Sequence, residues 1–346
     1  MVKFRQIARR QALSPADFVR QHLVANLPVV VTDAMQGWPA FSRWSLQHLS
    51  EHFGDRTVVV HGHTFMDVGD PWKLSDYIDF VLRSADIPDE EAFGKAQVPY
   101  LRRFPREIFE LSTEEWSRPY FLPDMYYLQP AVKDAHPQRG TPWPDFGVYV
   151  SPKGACTALH VDAWRNDNVL CQFSGTKRCF LIPPQYERHL EDVGCAKPQD
   201  IWEGDPSYPG ADEVFETELR GGETLVIPAG WVHEVYTTSP SISLTFNYTH
   251  FATAERFLQD GISHIGDALR TMPRNLAIAF SQGLLMQADA QLRFIETELA
   301  QAPEEKLAEY GLAGVSRQEL CESIALPLGN ARRLVVEWLA DSPHSA

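Results

Sequence analysis

Between Gly147 and Tyr248 the chain does not settle into a helical period; short β-rich runs alternate with turns. That pattern marks an antiparallel sandwich or barrel, because a strand buried on one face alternates apolar and polar residues at period two. Val169-Leu-Cys-Gln-Phe173 and Thr176-Lys-Arg-Cys-Phe-Leu-Ile182 flank Ser174-Gly175, which predicts a hairpin with glycine in its turn. Next, from Gly221 to Trp231, come a glycine turn, an apolar strand and a Pro-Ala-Gly corner, followed by a strand that carries His233. In the run Ser241 to Tyr248, Ser243, Thr245 and Asn247 fall on one side and Ile242, Leu244, Phe246 and Tyr248 on the other. A polar stripe of that kind, beside a histidine, lines either a cavity or solvent.

Helical signals flank this β region. Ser14-Pro15-Ala-Asp17 reads as an N-cap with proline at the first helical position, opening a helix that runs to about Ala25. Pro28 to Thr32 predicts a short buried strand, Trp44 to Phe53 an amphipathic helix ended by Gly54, and Thr57 to His61 another strand. Residues 85–145, rich in proline, charge and aromatics, predict loops and short helices lying over one face of a sheet. After Thr253 the period becomes helical, through Phe257, Leu258, Ile262, Ile265 and Leu269, then Leu276, Phe280, Leu284, Leu285, Leu292 and Ile295. A capping box at Ser316-Arg-Gln-Glu319 opens a last helix, interrupted at Pro327. The expected fold is therefore mainly β with flanking helices. Residues 1–252 form one domain with its barrel core at about 120–250, and 253–346 form a helical region whose long apolar stripes suit pairing into a homodimer.

Composition narrows the partners. A net charge of −15 disfavours a partner bound chiefly through its phosphates, so nucleic acid ranks low. Two basic clusters, Lys3, Arg5, Arg9 and Arg10 and then Arg102, Arg103 and Arg106, read as solvated surface charge. The five cysteines (156, 171, 179, 195 and 321) include no C-x-x-C pair, as expected of reduced thiols in a cytoplasmic protein. No signal-type segment opens the sequence and no apolar run reaches spanning length, so no membrane partner is expected.

The chemistry gathers on His160-Val-Asp162 and the distant His233. Side chains two apart on a strand share a face, so one short segment presents two ligands while another strand must bring the third. Two imidazoles and one carboxylate form the ligand set of non-haem Fe(II) oxygenases, which leaves coordination positions open. On the second hairpin strand, Lys177 shares a face with Cys179 and Leu181. A lysine facing a barrel interior requires an anion, which a carboxylate bound at the metal would supply; otherwise it is an exposed edge-strand residue. His61-Gly-His63 with Asp67 is a rival cluster without a supporting scaffold, and His250 reads as a surface or hinge residue. Two other classes compete. A cupin-type isomerase would carry a richer H-x-H-plus-Glu set, and a binding-only barrel would have lost a ligand. Neither a nucleophile elbow nor a phosphate-cradling glycine loop is present.

The run from Thr157 to Pro184, together with Gly222, Ile227-Pro228, Trp231-x-His233 and Asn247, resembles the JmjC (cupin-like) branch of Fe(II)/2-oxoglutarate dioxygenases over roughly residues 15–250. The likeness is to the small-hydroxylase type, which includes the asparaginyl hydroxylase of hypoxia-inducible factor and the tRNA wybutosine hydroxylase. The resemblance implies a double-stranded β-helix (jelly-roll) core with a C-terminal helical bundle that pairs two subunits. It further implies Fe(II) on His160, Asp162 and His233, and 2-oxoglutarate held by Lys177 with Thr157, Asn168, Asn247 and Tyr127. Asn166 is an alternative to Asn168, and Gln129 falls at a substrate-side position. Trp164, Trp231 and Phe173 are expected to build apolar walls on that side. The implied reaction uses O2 to hydroxylate a protein or peptide side chain, with release of succinate and CO2. A modified tRNA base, a small molecule and N-methyl-lysine demethylation are the alternatives.

Overall fold

Chain order and register follow from these patterns. The computed structural model describes residues 4–62, 69–93, 98–102, 115–122, 146–162, 167–187, 213–248 and 301–309, with isolated positions between 289 and 337. Two short strands, β1 (Arg5–Gln6) and β2 (Ala8–Arg10), precede α1 (Pro15–Phe18), where Ser14 Oγ caps Asp17 N at 3.1 Å. The predicted helix to Ala25 instead widens into a π turn over Val19–Leu23 and stops before Asn26, whose φ is 54°. Then follow β3 (Val29–Val31), α2 (Pro39–Arg43), α3 (Leu46–Phe53), β4 (Thr57–Val60) and β5 (Asp70–Lys73). Ser45 caps α3 and excludes Trp44, which the prediction had placed inside the helix. Two further helices follow, α4 (Leu74–Arg83) and α5 (Asp89–Phe93). α4 was not anticipated, although its buried Leu74, Tyr77, Ile78 and Val81 repeat at helical spacing.

The predicted β region then appears as β6 (Phe146–Ser151), β7 (Cys156–His160), β8 (Asp167–Ser174), β9 (Thr176–Ile182), β10 (Phe215–Arg220), β11 (Thr224–Ile227), β12 (Val232–Thr237) and β13 (Ser241–Tyr248). They form a sandwich of two sheets, one ordered β1-β10-β9-β12-β7 and the other β2-β3-β11-β8-β13-β6. β1 and β2 add parallel to their neighbours, and the remaining pairs in the two sheets are antiparallel. The β8–β9 hairpin turns at Gly175, with φ 74°, and a Cβ there would lie 2.2 Å from Pro240 O, so the turn and the close approach both demand glycine.

Each sheet face has its own partner. The outer face of the six-stranded sheet carries Val148, Val150, Val169, Cys171, Phe173, Ile242 and Leu244, buried with Phe18, Trp38, Trp44 and Tyr77 from the N-terminal helices and loops. Its inner face meets the other sheet through Val30, Leu170, Leu225 and Ile227 against Cys179, Leu181, Leu219 and Val235. Each such aliphatic side chain contributes roughly 1.5–3 kcal/mol of burial, which fixes the register of both sheets.

β6 and β7 are sheet edges that do not pair with each other, leaving a seam. The segment Tyr100–Arg102 lies along it, with Leu101 bridged to Val150 and Tyr100 to His61. The Tyr77 hydroxyl donates to Val150 O and accepts from Leu101 N, both at 2.8 Å, and clips the segment to β6. Leu101 joins the outer core, so Tyr100 and Arg102 face inward.

The helices expected after Thr253 and from Ser316 lie mostly outside the described residues. A short helix, α6 (Glu304–Glu309), packs on α1 and buries Leu307. Among the described residues no helix is long and apolar enough to cross a membrane.

Candidate metal centre

The site is assembled by an irregularity that the sequence pattern does not announce. Along β12, His233 pairs with His160 and Val235 with Thr157, so two steps on β12 match three on β7. The extra residue is a β-bulge, and it turns Thr157 and His160, three apart, to the same inner face. The candidate ligand atoms of His160, Asp162 and His233 all lie within 4.8 Å of one another. His160 Nε2 stands 3.5 Å from Asp162 Oδ1 and His233 Nε2 stands 3.9 Å from the same oxygen.

Each side chain is held from behind. His160 Nδ1 lies 2.8 Å from Ala158 O and His233 Nδ1 lies 3.1 Å from Trp231 O. A carbonyl only accepts, so both Nδ1 atoms carry hydrogen and both Nε2 atoms are turned toward Asp162. Asp162 Oδ2 accepts from Asn168 Nδ2 and Asn247 Nδ2, each at 2.9 Å, which leaves Oδ1 toward the imidazoles. The two asparagines, expected at the co-substrate, thus act here on the carboxylate.

Electrostatics make His233 and Asp162 ready donors, while a proton competes for His160, whose affinity for it is raised above that of an ordinary imidazole. Burial, reinforced by the charge of His160, pushes the His233 imidazole down to about 4, so it is neutral near pH 7. Burial alone would raise Asp162, but the His160 hydrogen bond, the two histidine charges and the Asn168 bond outweigh it and hold the carboxyl well below its usual range. For His160, burial opposes protonation, while the hydrogen bond and charge of Asp162 raise its affinity for a proton. The result is an anion flanked by two presented imidazoles.

Lys177 is 2 % exposed, which excludes the edge-strand reading. It pairs with Thr237, four residues along β12 from His233, so Lys177 and His233 share the inner face of β9 and β12. At a strand rise of ~3.3 Å per residue their backbones stand about 13 Å apart. Its Nζ donates to Ser151 Oγ at 3.2 Å and Thr237 Oγ1 at 3.1 Å, and no carboxylate among the described residues bonds to it. Burying a charge without a counter-ion costs several kcal/mol, so this end of the interior is a cradle for an anion. The facing inner surface is polar, and its buried Asn168 Oδ1, Gln172 Oε1 and Ser243 Oγ have no partner among the described residues. Left unpaired, each such atom costs about 1–3 kcal/mol.

Other expectations fare differently. Tyr127, Gln129, Trp164 and Asn166 lie outside the described residues, as do His63, Asp67 and His250 of the rival histidines. Phe173 is not a wall of the site; it points outward and packs on Trp38 and Trp44 at centroid distances of 6.1 and 5.0 Å. Trp231 is buried between the sheets, its indole N–H donating to Asn26 O at 3.0 Å, which makes it a packing residue. Arg102, read as surface charge, is instead 2 % exposed, whereas Arg103 and Arg106 are outside the described residues. Ser151, Thr237 and Arg102 were missed. For the first two, alternation along their strands was the available signal; Arg102 had none, because its partners come from another sheet.

A family model for the cupin-like domain matches residues 15–254. Among curated proteins, the chain is 26% identical to the arginine-specific demethylase JMJ20 of Arabidopsis thaliana, over 68% of this chain and 55% of that protein. It is 28% identical to the human 2-oxoglutarate and iron-dependent oxygenase JMJD4, over 72% of this chain and 63% of the relative. It is 27% identical to the bifunctional arginine demethylase and lysyl-hydroxylase psr-1 of Caenorhabditis elegans, over 68% and 59%. The chain therefore spans less than two thirds of the length of these relatives.

Proposed function

The chain belongs to the cupin-like domain family, and from that premise we propose that it is an iron- and 2-oxoglutarate-dependent oxygenase of the JmjC type, built on a double-stranded β-helix core. The observation that carries this reading is the convergence of two Nε2-presenting imidazoles and one carboxylate in the same interior as a buried lysine that meets no carboxylate among the described residues. The donor set fits a ferrous ion with positions to spare, and Lys177 fits the distal carboxylate of 2-oxoglutarate. When bound, that pair supplies oxygen activation, with succinate and CO2 as co-products. The protein's own part is orientation and exclusion. Ala158 O and Trp231 O aim the imidazoles, Asn168 and Asn247 hold Asp162, and the apolar layer of Leu170, Leu181 and Val235 keeps water from the space between the sheets.

For substrate we infer a protein or peptide side chain, hydroxylated at carbon. Support comes from the net charge of −15 and from relatives named for arginine demethylation and lysyl hydroxylation, both chemistries of amino-acid side chains. The same names favour N-methyl demethylation as the second reading. The protein incubated with Fe(II), 2-oxoglutarate and fractionated cell extract is expected to add one oxygen to a polypeptide, read by mass spectrometry. Formaldehyde release with loss of a methyl group would instead establish a demethylase. Oxidation confined to the RNA or the metabolite fraction would overturn the polypeptide substrate.

Homodimerisation through residues 253–346 is the companion proposal, supported by the long apolar stripes of that sequence. Leu284→Arg with Leu285→Arg, two positions outside the described residues, is expected to convert a sedimenting dimer into a monomer. A wild-type chain that sediments as a monomer at all concentrations refutes it.

A further inference from the structure

The seam segment brings a second buried cation to the interior. Arg102 Nη1 donates to Thr157 Oγ1 at 3.3 Å and Nη2 donates to Cys156 O at 3.0 Å. Its guanidinium carbon stands 4.5 Å from the centroid of the Tyr100 ring, and Lys177 Nζ stands 5.7 Å from the same centroid. One aromatic ring therefore carries two cations, at the end of the interior away from the triad. Such contacts stabilise each cation where water is scarce, yet they bring two like charges together, and the Lys177 ammonium bonds to no carboxylate among the described residues.

The hydroxyls around these cations have a fixed sense. A hydroxyl owns one hydrogen and two lone pairs, whereas guanidinium and ammonium groups only donate. Thr157 accepts from Arg102, so its own hydrogen must be given elsewhere. Thr237 and Ser151 each accept from Lys177, and Ser151 also meets Ser241 Oγ at 2.9 Å. Thr157 pairs with Val235, which shares its strand face with Thr237, so the two threonines stand on neighbouring strands of one inner surface. Two cations thus turn the surrounding hydroxyls into donors, which is the lining a carboxylate requires and a ketone or alkyl group does not.

We propose that Arg102 is a positioning residue for the co-substrate: by donating to Thr157 it commits that hydroxyl to the distal carboxylate at Lys177, and so restricts the pocket to 2-oxo acids bearing a second carboxylate. The proposal rests on the oxygenase reading above and assigns to Arg102 a selectivity that closing the seam does not require.

The test is calorimetric, on the full chain loaded with Mn(II), titrated with 2-oxoglutarate and separately with 2-oxobutyrate, which lacks the distal carboxylate. In Arg102→Gln and in Thr157→Val the Kd for 2-oxoglutarate should rise about ten-fold, while that for 2-oxobutyrate stays within about two-fold. Because both residues act through one hydroxyl, the double variant should lose little more than either single one. Equal weakening of both acids, or unchanged 2-oxoglutarate binding, would show that Arg102 only closes the seam. Additive losses would overturn the relay through Thr157. Should Arg102→Gln fail to fold, Arg102→Met, which keeps the buried alkyl chain and removes the donors, takes its place: a selective loss of 2-oxoglutarate supports the proposal, and any other result overturns it. A wild-type protein that binds Mn(II) but neither acid removes the oxygenase reading itself, an outcome distinct from the others.

Discussion

Asp162→Ala is expected to abolish ferrous-ion binding and 2-oxoglutarate turnover while leaving the two-sheet fold in place. Asp162 supplies the anion of the triad, and its Oδ1 is the point on which both Nε2 atoms converge, at 3.5 and 3.9 Å. Loss of an outer-shell partner of a metal ligand typically costs about 10–100-fold in affinity, and loss of the charged ligand itself should exceed that. The structural cost is smaller. Asp162 lies beyond the end of β7, outside the ladder, and its removal frees two amides, Asn168 Nδ2 and Asn247 Nδ2, in a half-buried setting. That loss amounts to about 1–3 kcal/mol. Asp162→Asn keeps the shape and removes the charge, and should bind metal almost as poorly. Metal content by elemental analysis, succinate formation and a thermal melt separate these effects. Full turnover with unchanged metal content in Asp162→Ala would sink the assignment.

What the sequence disclosed was whatever repeats at a fixed period. The alternation of Ser243, Thr245 and Asn247 with Ile242 and Leu244 is the observed division between inner and outer face, and the face shared by Lys177, Cys179 and Leu181 is the inner one. Phe173 was misplaced although the same rule covers it. Asn168 and Leu170 face inward, so Phe173, of opposite parity, must face the N-terminal helices. The bulge in β7 was not legible, because an inserted residue leaves the composition of the strand unchanged and shows only in its register with β12. Arg102 was hidden for a related reason. Charged residues are ordinarily exposed, and the partners that bury this one, Thr157 and Cys156 O, lie on a strand of the other sheet. Long-range partnerships of that kind carry no local pattern.

Lys177→Ala is expected to raise the 2-oxoglutarate concentration needed for turnover by about one to two orders of magnitude, the worth of a charge-assisted bond of roughly 1.5–3 kcal/mol in a desolvated site. At saturating co-substrate, turnover should be nearly restored, since Lys177 lies four residues along the β9–β12 ladder from the level of His233. The loss therefore belongs in KM for 2-oxoglutarate and not in kcat. Arg178 cannot take over, because it pairs with Glu216 at 2.6 Å on the opposite face of the strand. Stability supplies an independent reading. Among the described residues the buried ammonium is held by two hydroxyls and one ring face and by no carboxylate, so Lys177→Met, of similar length and no charge, should melt no lower than wild type in the absence of co-substrate. On adding 2-oxoglutarate with Mn(II), the wild type should gain stability as its binding free energy is linked to folding, and the variant should gain much less at the same concentration. The two melting curves would then cross in order as co-substrate is added, because the lysine destabilises the empty fold and stabilises the loaded one. An unaltered 2-oxoglutarate requirement in Lys177→Ala, with equal co-substrate stabilisation of Lys177→Met and wild type, would place the distal carboxylate elsewhere.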